Sequence, residues 1–155
     1  FIDRDNTIIK CSKGSYIVSE KDIIALKENI HKLSNLSKDF SFVILISNQP
    51  QIAMGLTSWQ NVIRMNGEII KICLTNNLLI SCFYICPHHP HIGFSNENHS
   101  LKTNCFCRKP YPGMFLEAAF NRNINLEESL MIGDSEVDRD AAKNAGVPFK
   151  WIYSI

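Results

Sequence analysis

The 155-residue sequence has no apolar run long enough to cross a bilayer; its longest, near 42–46, suits a buried strand. It also lacks an excess of one charge. Sixteen Lys and Arg stand against fifteen Asp and Glu, a net charge of +1, which offers no bulk attraction to nucleic acid or to an anionic membrane. Internal repeats, low-complexity segments and a recognisable leader are missing as well, so the expected setting is the cytoplasm, with no membrane and no nucleic-acid partner. What is present is ordinary for a soluble globular protein: 45% hydrophobic and 20% charged residues, enough for one domain with a real core.

Strand-like and helix-like patterns alternate along the chain. Residues 1–3 read as the end of a strand. Apolar residues at Ile23, Ile24, Leu26, Ile30, Leu33 and Leu36 predict a helix over 20–36, with Ser19 and Asp22 as its capping pair. SFVILIS, 41–47, is a continuous apolar run suited to a strand buried on both faces. A helix capped by Thr57 is expected over 57–77, a strand over 81–86 and a helix over 112–123 opened by Pro112. A strand over 130–133, a helix over 135–145 closed by Gly146 and a strand over 149–153 complete the pattern. This alternation predicts an α/β fold: a Rossmann-like three-layer sandwich with a central parallel sheet.

Such sheets carry their sites at the carboxyl ends of the strands. Asp3, Ser47, Cys86 and Asp134 all fall there. The opening FIDRDNTI places Asp3 and Asp5 one residue apart, so strand alternation predicts that they share a side, with Arg4 on the other. Two close carboxylates repel unless a cation or a reaction uses them.

DRDNT, then SNQ at 47–49, CRKPYPGM at 107–114 and IGDSEVDRDAAKNAG at 132–146 form an ordered set. Together they resemble the haloacid-dehalogenase superfamily of phosphatases. FIDRDNT, SNQ, a CPH…CFC loop and CRKPYPGM are most similar to its heptose-bisphosphate and histidinol-phosphate phosphatase branch. Asn6 stands where that family usually has Gly, a turn position that Asn tolerates. Pro50 follows SNQ, where a small polar residue is usual.

Phosphoryl transfer needs a placed nucleophile, a proton donor and positive charge on the phosphate oxygens. Asp3 suits in-line attack, giving an aspartyl-phosphate. Asp5 suits the general acid for the leaving alkoxide and then the base for the hydrolytic water. Asp3 and Asp134 can share one Mg²⁺, and the resemblance adds the backbone carbonyl of Asp5 as a further ligand. Ser47 and Lys109, with Asn48 nearby, would hold the phosphoryl oxygens. Asp138 would hold a metal-bound water or orient Lys109, and Thr7 would support the aspartate loop.

Six cysteines lie at 11, 73, 82, 86, 105 and 107. Cys11, Cys73 and Cys82 sit in apolar or strand-like contexts and read as inert thiols. Cys86 and His88 with Cys105 and Cys107 offer a Cys₃His set, common for structural Zn²⁺. A reduced cluster without metal, or a strained disulfide between Cys105 and Cys107, remain the alternatives. The resemblance implies these four as the ligands and excludes His89; His91 and His99 are spare. The loop that carries them has little core of its own, so a metal would supply its order. It ends in Arg108 and Lys109, and Arg108 is a candidate for a second phosphate or an anionic tail of the substrate.

The expected domain is 1–155, capless because the first two motifs lie too close for a cap, with a zinc loop at 86–107. A first residue other than Met and a stop soon after the last strand read as truncation at both ends. The expected activity is Mg²⁺-dependent hydrolysis of a small phosphorylated molecule by a monomer, a heptose 1,7-bisphosphate 7-phosphatase first and a histidinol-phosphate phosphatase second. A polynucleotide 3′-phosphatase would want a basic groove and ranks third. A non-catalytic binding module on the same fold is the competing class.

Overall fold

The structure is a computed structural model that describes residues 1–12 and 15–155. Its strands are β1 (Ile44–Asn48), β2 (Cys82–Cys86), β3 (Met131–Gly133) and β4 (Phe149–Trp151), and its helices are α1 (Lys27–Leu36), α2 (Trp59–Thr75), α3 (Gly113–Arg122) and α4 (Glu136–Ala145). β1 runs parallel to β2 in the register Ile44↔Cys82 through Asn48↔Cys86. β3 runs parallel to β4, Met131↔Phe149 through Gly133↔Trp151. The opening residues join the two pairs: Ile2 bridges in parallel to both Leu45 and Ile132. Its amide donates to the Ile44 carbonyl, and the Asp3 amide donates to the Ile132 carbonyl, both at 2.9 Å. The sheet order is therefore β2, β1, residues 1–3, β3, β4, all parallel, with Asp3 leaving the central position.

Side-chain alternation along β1 explains the layers. Leu45 enters a core that holds Ile30 and Leu33 of α1 with Val62, Met65 and Ile69 of α2. Ile44 and Ile46 enter the opposite core, with Met114, Phe115 and Ala118 of α3 and Ala141 and Ala142 of α4. A strand covered on both faces has no solvent side to make polar, which is why 41–47 reads as one apolar run. The two cores and the sheet between them are the expected three-layer α/β sandwich. Among the described residues between Asp3 and β1, α1 is joined by short turns and extended chain, too little for a cap.

Local expectations fail where a tertiary partner competes. The helix expected over 20–36 is broken. Residues Glu20–Asp22 form a 3₁₀ turn, where the Ser19 hydroxyl accepts from the Lys21 amide and the Ser19 carbonyl from the Asp22 amide. The next residues then run extended against the chain that follows the aspartate loop. The Lys10 amide donates to Ile24 and the Leu26 amide to Ile8, both at 2.8 Å, and α1 begins only at Lys27. Two adjacent β-branched residues, Ile23 and Ile24, favour this extended pairing over a helix. The cap of α2 is Ser58, which accepts from the Asn61 amide at 3.1 Å. The Thr57 hydroxyl donates instead to the Val18 carbonyl. Pro112 is the N-cap of α3 rather than its first residue. Ser135 and Asp138 form a capping box on α4, and Gly146 closes it with φ 72°. No helix among the described residues is long and apolar enough to cross a membrane.

Candidate active site

The strand order brings the residues that follow β3 beside the end of the central segment. Asp3, Asp134 and Asp138 each present a carboxylate oxygen within 4.8 Å of the others. Lys109 reaches the same point from the loop before α3. Its Nζ lies 2.5 Å from Asp3 Oδ1, 2.5 Å from Asp138 Oδ1 and 3.2 Å from the Ile46 carbonyl. Asp138 gives its other oxygen to the Ser135 amide and hydroxyl, at 3.2 and 2.6 Å. Gly133 makes room for this: a Cβ there would lie 2.6 Å from that of Asp138. Asn48 grips the lysine backbone from both sides, its Oδ1 accepting from the Lys109 amide and its Nδ2 donating to the Lys109 carbonyl, each at 3.0 Å. Its amide is thereby occupied in placing Lys109. Ser47 and Asn6 line the same open cleft.

Burial sets the electrostatics. It pushes the Asp3 carboxyl up to about 8, against the opposing pull of Lys109. It pushes Asp134 up to about 6, helped by the charge of Asp138. The lysine loses hydration too, but its ion pairs with Asp3 and Asp138 outweigh that loss and raise its pKa. Asp3 and Asp134 therefore hold their protons more tightly than ordinary carboxyls unless a further cation joins them. Carboxylate oxygens gathered at one point suit Mg²⁺, a hard ion that prefers such ligands.

Asp5 lines the same cleft as Asp3, as expected, but Arg4 departs from the expected geometry. The chain bends at Arg4, so strand alternation stops and the two side chains meet. Arg4 Nε and Nη2 donate to Asp5 Oδ1 at 3.1 and 2.9 Å. Gln49 Nε2 donates to Asp5 Oδ2 at 3.1 Å and to Ser47 Oγ at 2.8 Å. Asp5 lines the cleft, but its carboxylate is outside the group formed by Asp3, Asp134 and Asp138. Sequence reasoning missed Arg4, Gln49 and Asn66, which accepts from Arg4 Nη1 at 3.1 Å. Neutral amides carry no charge pattern to read. The Thr7 hydroxyl is buried beneath the aspartate loop with no hydrogen-bond partner among the described residues. Asn6 makes the left-handed turn at φ 59°, and its Oδ1 accepts from the Cys11 amide at 2.9 Å.

A second cluster lies at the end of β2. Cys86 Sγ stands 3.4 Å from Cys105 Sγ and 3.6 Å from His88 Nδ1. Cys107 Sγ lies 3.1 Å from Cys86, 3.4 Å from Cys105 and 3.4 Å from His88 Nδ1. A tetrahedron with Zn–S bonds of about 2.3 Å has edges of roughly 3.7 Å, so this donor set fits the ion. All six thiols are free, including Cys105 and Cys107. Cys73 is buried in the helical core, where burial pushes its thiol up to about 12.

The loop has more internal packing than its composition suggests. The Lys102 side chain lies 3.2 Å from Glu97, shielded from solvent, and over the Phe94 ring at 4.8 Å, and the His89 ring meets Phe94 edge-on at 5.6 Å. Asn98 donates its amide to Ala53, which docks the loop on the turn after β1. That turn passes so close that a Cβ at Gly55, φ 70°, would lie 1.7 Å from the Asn96 carbonyl oxygen. Arg108, half-buried, donates to the His88 carbonyl at 3.2 Å. His89 and His91 contact each other and stay out of the thiol cluster, and His99 stands beside Glu97.

Residues 106–152, which include Lys109, Asp134 and Asp138, match the family described as HAD-hydrolase-like. The D-glycero-beta-D-manno-heptose-1,7-bisphosphate 7-phosphatase of Vibrio cholerae is 33% identical over 150 residues, 97% of this chain and 77% of that protein. The chain belongs to this phosphatase family of the haloacid-dehalogenase superfamily. The Helicobacter pylori member is 35% identical over 151 residues, covering 95% of this chain and 78% of that protein. Among solved structures, the heptose 1,7-bisphosphate phosphatase of B. bronchiseptica, complexed with magnesium and phosphate, superposes with a TM-score of 0.80 at 26% identity, covering 96% of this chain and 76% of that one. A putative HAD-like phosphatase of Mesorhizobium loti superposes with a TM-score of 0.83 at 25% identity, covering 94% and 67%. The chain is accordingly a phosphatase with the superfamily's α/β fold.

Proposed function

We propose that this chain removes the 7-phosphate of D-glycero-D-manno-heptose 1,7-bisphosphate. The observation that carries the reading is Asp3: a buried carboxylate at the end of the central strand, held by Lys109 through Oδ1, beside Asp134 at the base of an open cleft. Relatives named for that reaction, matched over 97% and 95% of this chain, support the substrate.

Asp3 attacks the phosphorus, and the bond to the sugar oxygen breaks. Asp5 gives its proton to the departing oxygen. Asp5 then takes a proton from water, which attacks the aspartyl-phosphate and frees Asp3 and inorganic phosphate. Lys109 and Ser47 hold the phosphoryl oxygens, with Asn48 fixing the lysine backbone. Asp138 orients Lys109, and Thr7 supports the loop. Asp3, Asp134 and the backbone carbonyl of Asp5 would hold Mg²⁺, which when bound offsets phosphoryl charge and aligns the group. The magnesium in the B. bronchiseptica structure supports that assignment. Cys86, His88, Cys105 and Cys107 would hold Zn²⁺, a structural ion that ties down the 86–107 loop and so places Arg108 for the second phosphate. The working unit is one domain, 1–155, acting on a small molecule as a monomer in the cytoplasm.

Phosphate release from a panel containing heptose 1,7-bisphosphate and histidinol phosphate tests the reading. Turnover is expected fastest on the heptose ester, lost on chelation of Mg²⁺ and abolished by Asp3→Asn. Activity that survives Asp3→Asn would overturn it.

A further inference from the structure

We propose that Arg4 is the residue that positions Asp5 for proton transfer; this rests on the phosphatase reading above. Arg4 is the largest fully buried side chain of the protein, 0% exposed, although it carries a charge. Burying a guanidinium is costly unless each edge is used. Here both edges are. One edge holds Asp5, with Nε and Nη2 on Oδ1 at 3.1 and 2.9 Å and Nη2 also 3.1 Å from Oδ2. The other edge places Nη1 3.1 Å from Oδ1 of Asn66, buried in α2.

A planar fork gripped on two sides transmits orientation, which a flexible ammonium could not do. The Asp5 carboxylate is thereby referenced to α2, an element of the packed core, rather than to its own turn. The two Asp5 oxygens are not equivalent. Oδ1 accepts from two Arg4 nitrogens, Nε and Nη2, and Oδ2 from Arg4 Nη2 alone of that side chain. Oδ2 also meets the neutral Gln49 amide, which in turn reaches Ser47 Oγ. The Asp5 side chain is 28% exposed, on the cleft side. A pair that only stabilised the fold would have no reason to open one partner to the cleft while sealing the other.

Leaving-group dependence separates positioning from stability. The ratio kcat/KM reports steps up to the transfer onto Asp3, in which an alkoxide needs a proton and p-nitrophenolate does not. Wild-type protein, Arg4→Met, Asp5→Asn and the double variant are assayed with a sugar phosphate and with p-nitrophenyl phosphate. Arg4→Met is expected to lose about tenfold or more in kcat/KM on the sugar ester relative to the nitrophenyl ester. Asp5→Asn should show the same bias, and the double variant should be no worse than Asp5→Asn alone. Where Arg4→Met does not fold, Arg4→Lys keeps the buried charge without the fork and carries the same expectation. Equal losses on both esters, or losses that add to those of Asp5→Asn, overturn the proposal. A wild-type protein inactive on both esters removes the phosphatase reading itself, and the proposal with it.

Discussion

Lys109 Nζ lies 2.5 Å from Asp3 Oδ1, although 106 residues separate them along the chain. The pair is buried on both sides, with side-chain exposures of 3% and 9%. An ion pair so placed gains much from geometry and loses much when one partner goes, because the survivor stays desolvated and unpaired.

Replacing the lysine should therefore damage fold and reaction together. Lys109→Met leaves Asp3 and Asp138 facing each other without their shared cation. A stability loss of about 3–5 kcal/mol is expected in chelated protein by denaturant titration. In saturating Mg²⁺, kcat should fall by about 10²-fold or more. Wild-type turnover in this variant would remove Lys109 from the site.

The acids make a prediction in pH. Without metal, the folded-state pKa values of Asp3, about 8, and Asp134, about 6, lie above the ordinary 3.8. The native state then binds more protons than the unfolded chain between about pH 4 and pH 8, so stability falls as pH rises through that window. A divalent cation takes the place of those protons. Mg²⁺ should consequently raise Tm more at pH 8 than at pH 5.5. Equal increments at the two values would count against a cation shared by Asp3 and Asp134.

Gly133 offers a test that removes no charged group. A Cβ there would meet Asp138 Cβ at 2.6 Å and its Oδ2 at 2.7 Å. Gly133→Ala must push Asp138 aside and with it one of the two carboxylates that hold Lys109. A loss of about 1–3 kcal/mol is expected in chemical denaturation, together with a lower kcat. An unchanged kcat and Tm would show that the Asp138–Lys109 contact tolerates displacement.

For the thiol cluster, metal analysis of purified, unchelated protein should find one zinc per chain. Its removal should lower Tm and expose the 87–104 loop to proteolysis, while the Lys102, Glu97 and Phe94 contacts keep part of that loop folded. Cys105→Ser should reproduce the loss. Zinc-free protein with wild-type protease resistance would leave the loop ordered by those contacts alone.

Sequence pattern alone determined the sheet and most helices, because their signals are local. A short apolar run rich in β-branched residues and bounded by polar ones favours a buried strand, and Ser135 with Gly146 marks both ends of α4. The candidate site residues could be picked out for a related reason. Asp3, Ser47, Cys86 and Asp134 stand at strand ends, where a parallel sheet must converge, and Lys109 stands out in the CRKPYPGM motif that carries the resemblance. Tertiary structure decided what local rules could not weigh. The pairing of residues 8–10 with 24–26 won over helix for Ile23 and Ile24, through partners far away in sequence. The bend at Arg4 turned it from the far face of a strand onto Asp5. Gln49 and Asn66 joined the network under the cleft because a buried guanidinium must satisfy its donors, and only the folded chain shows which acceptors lie within reach.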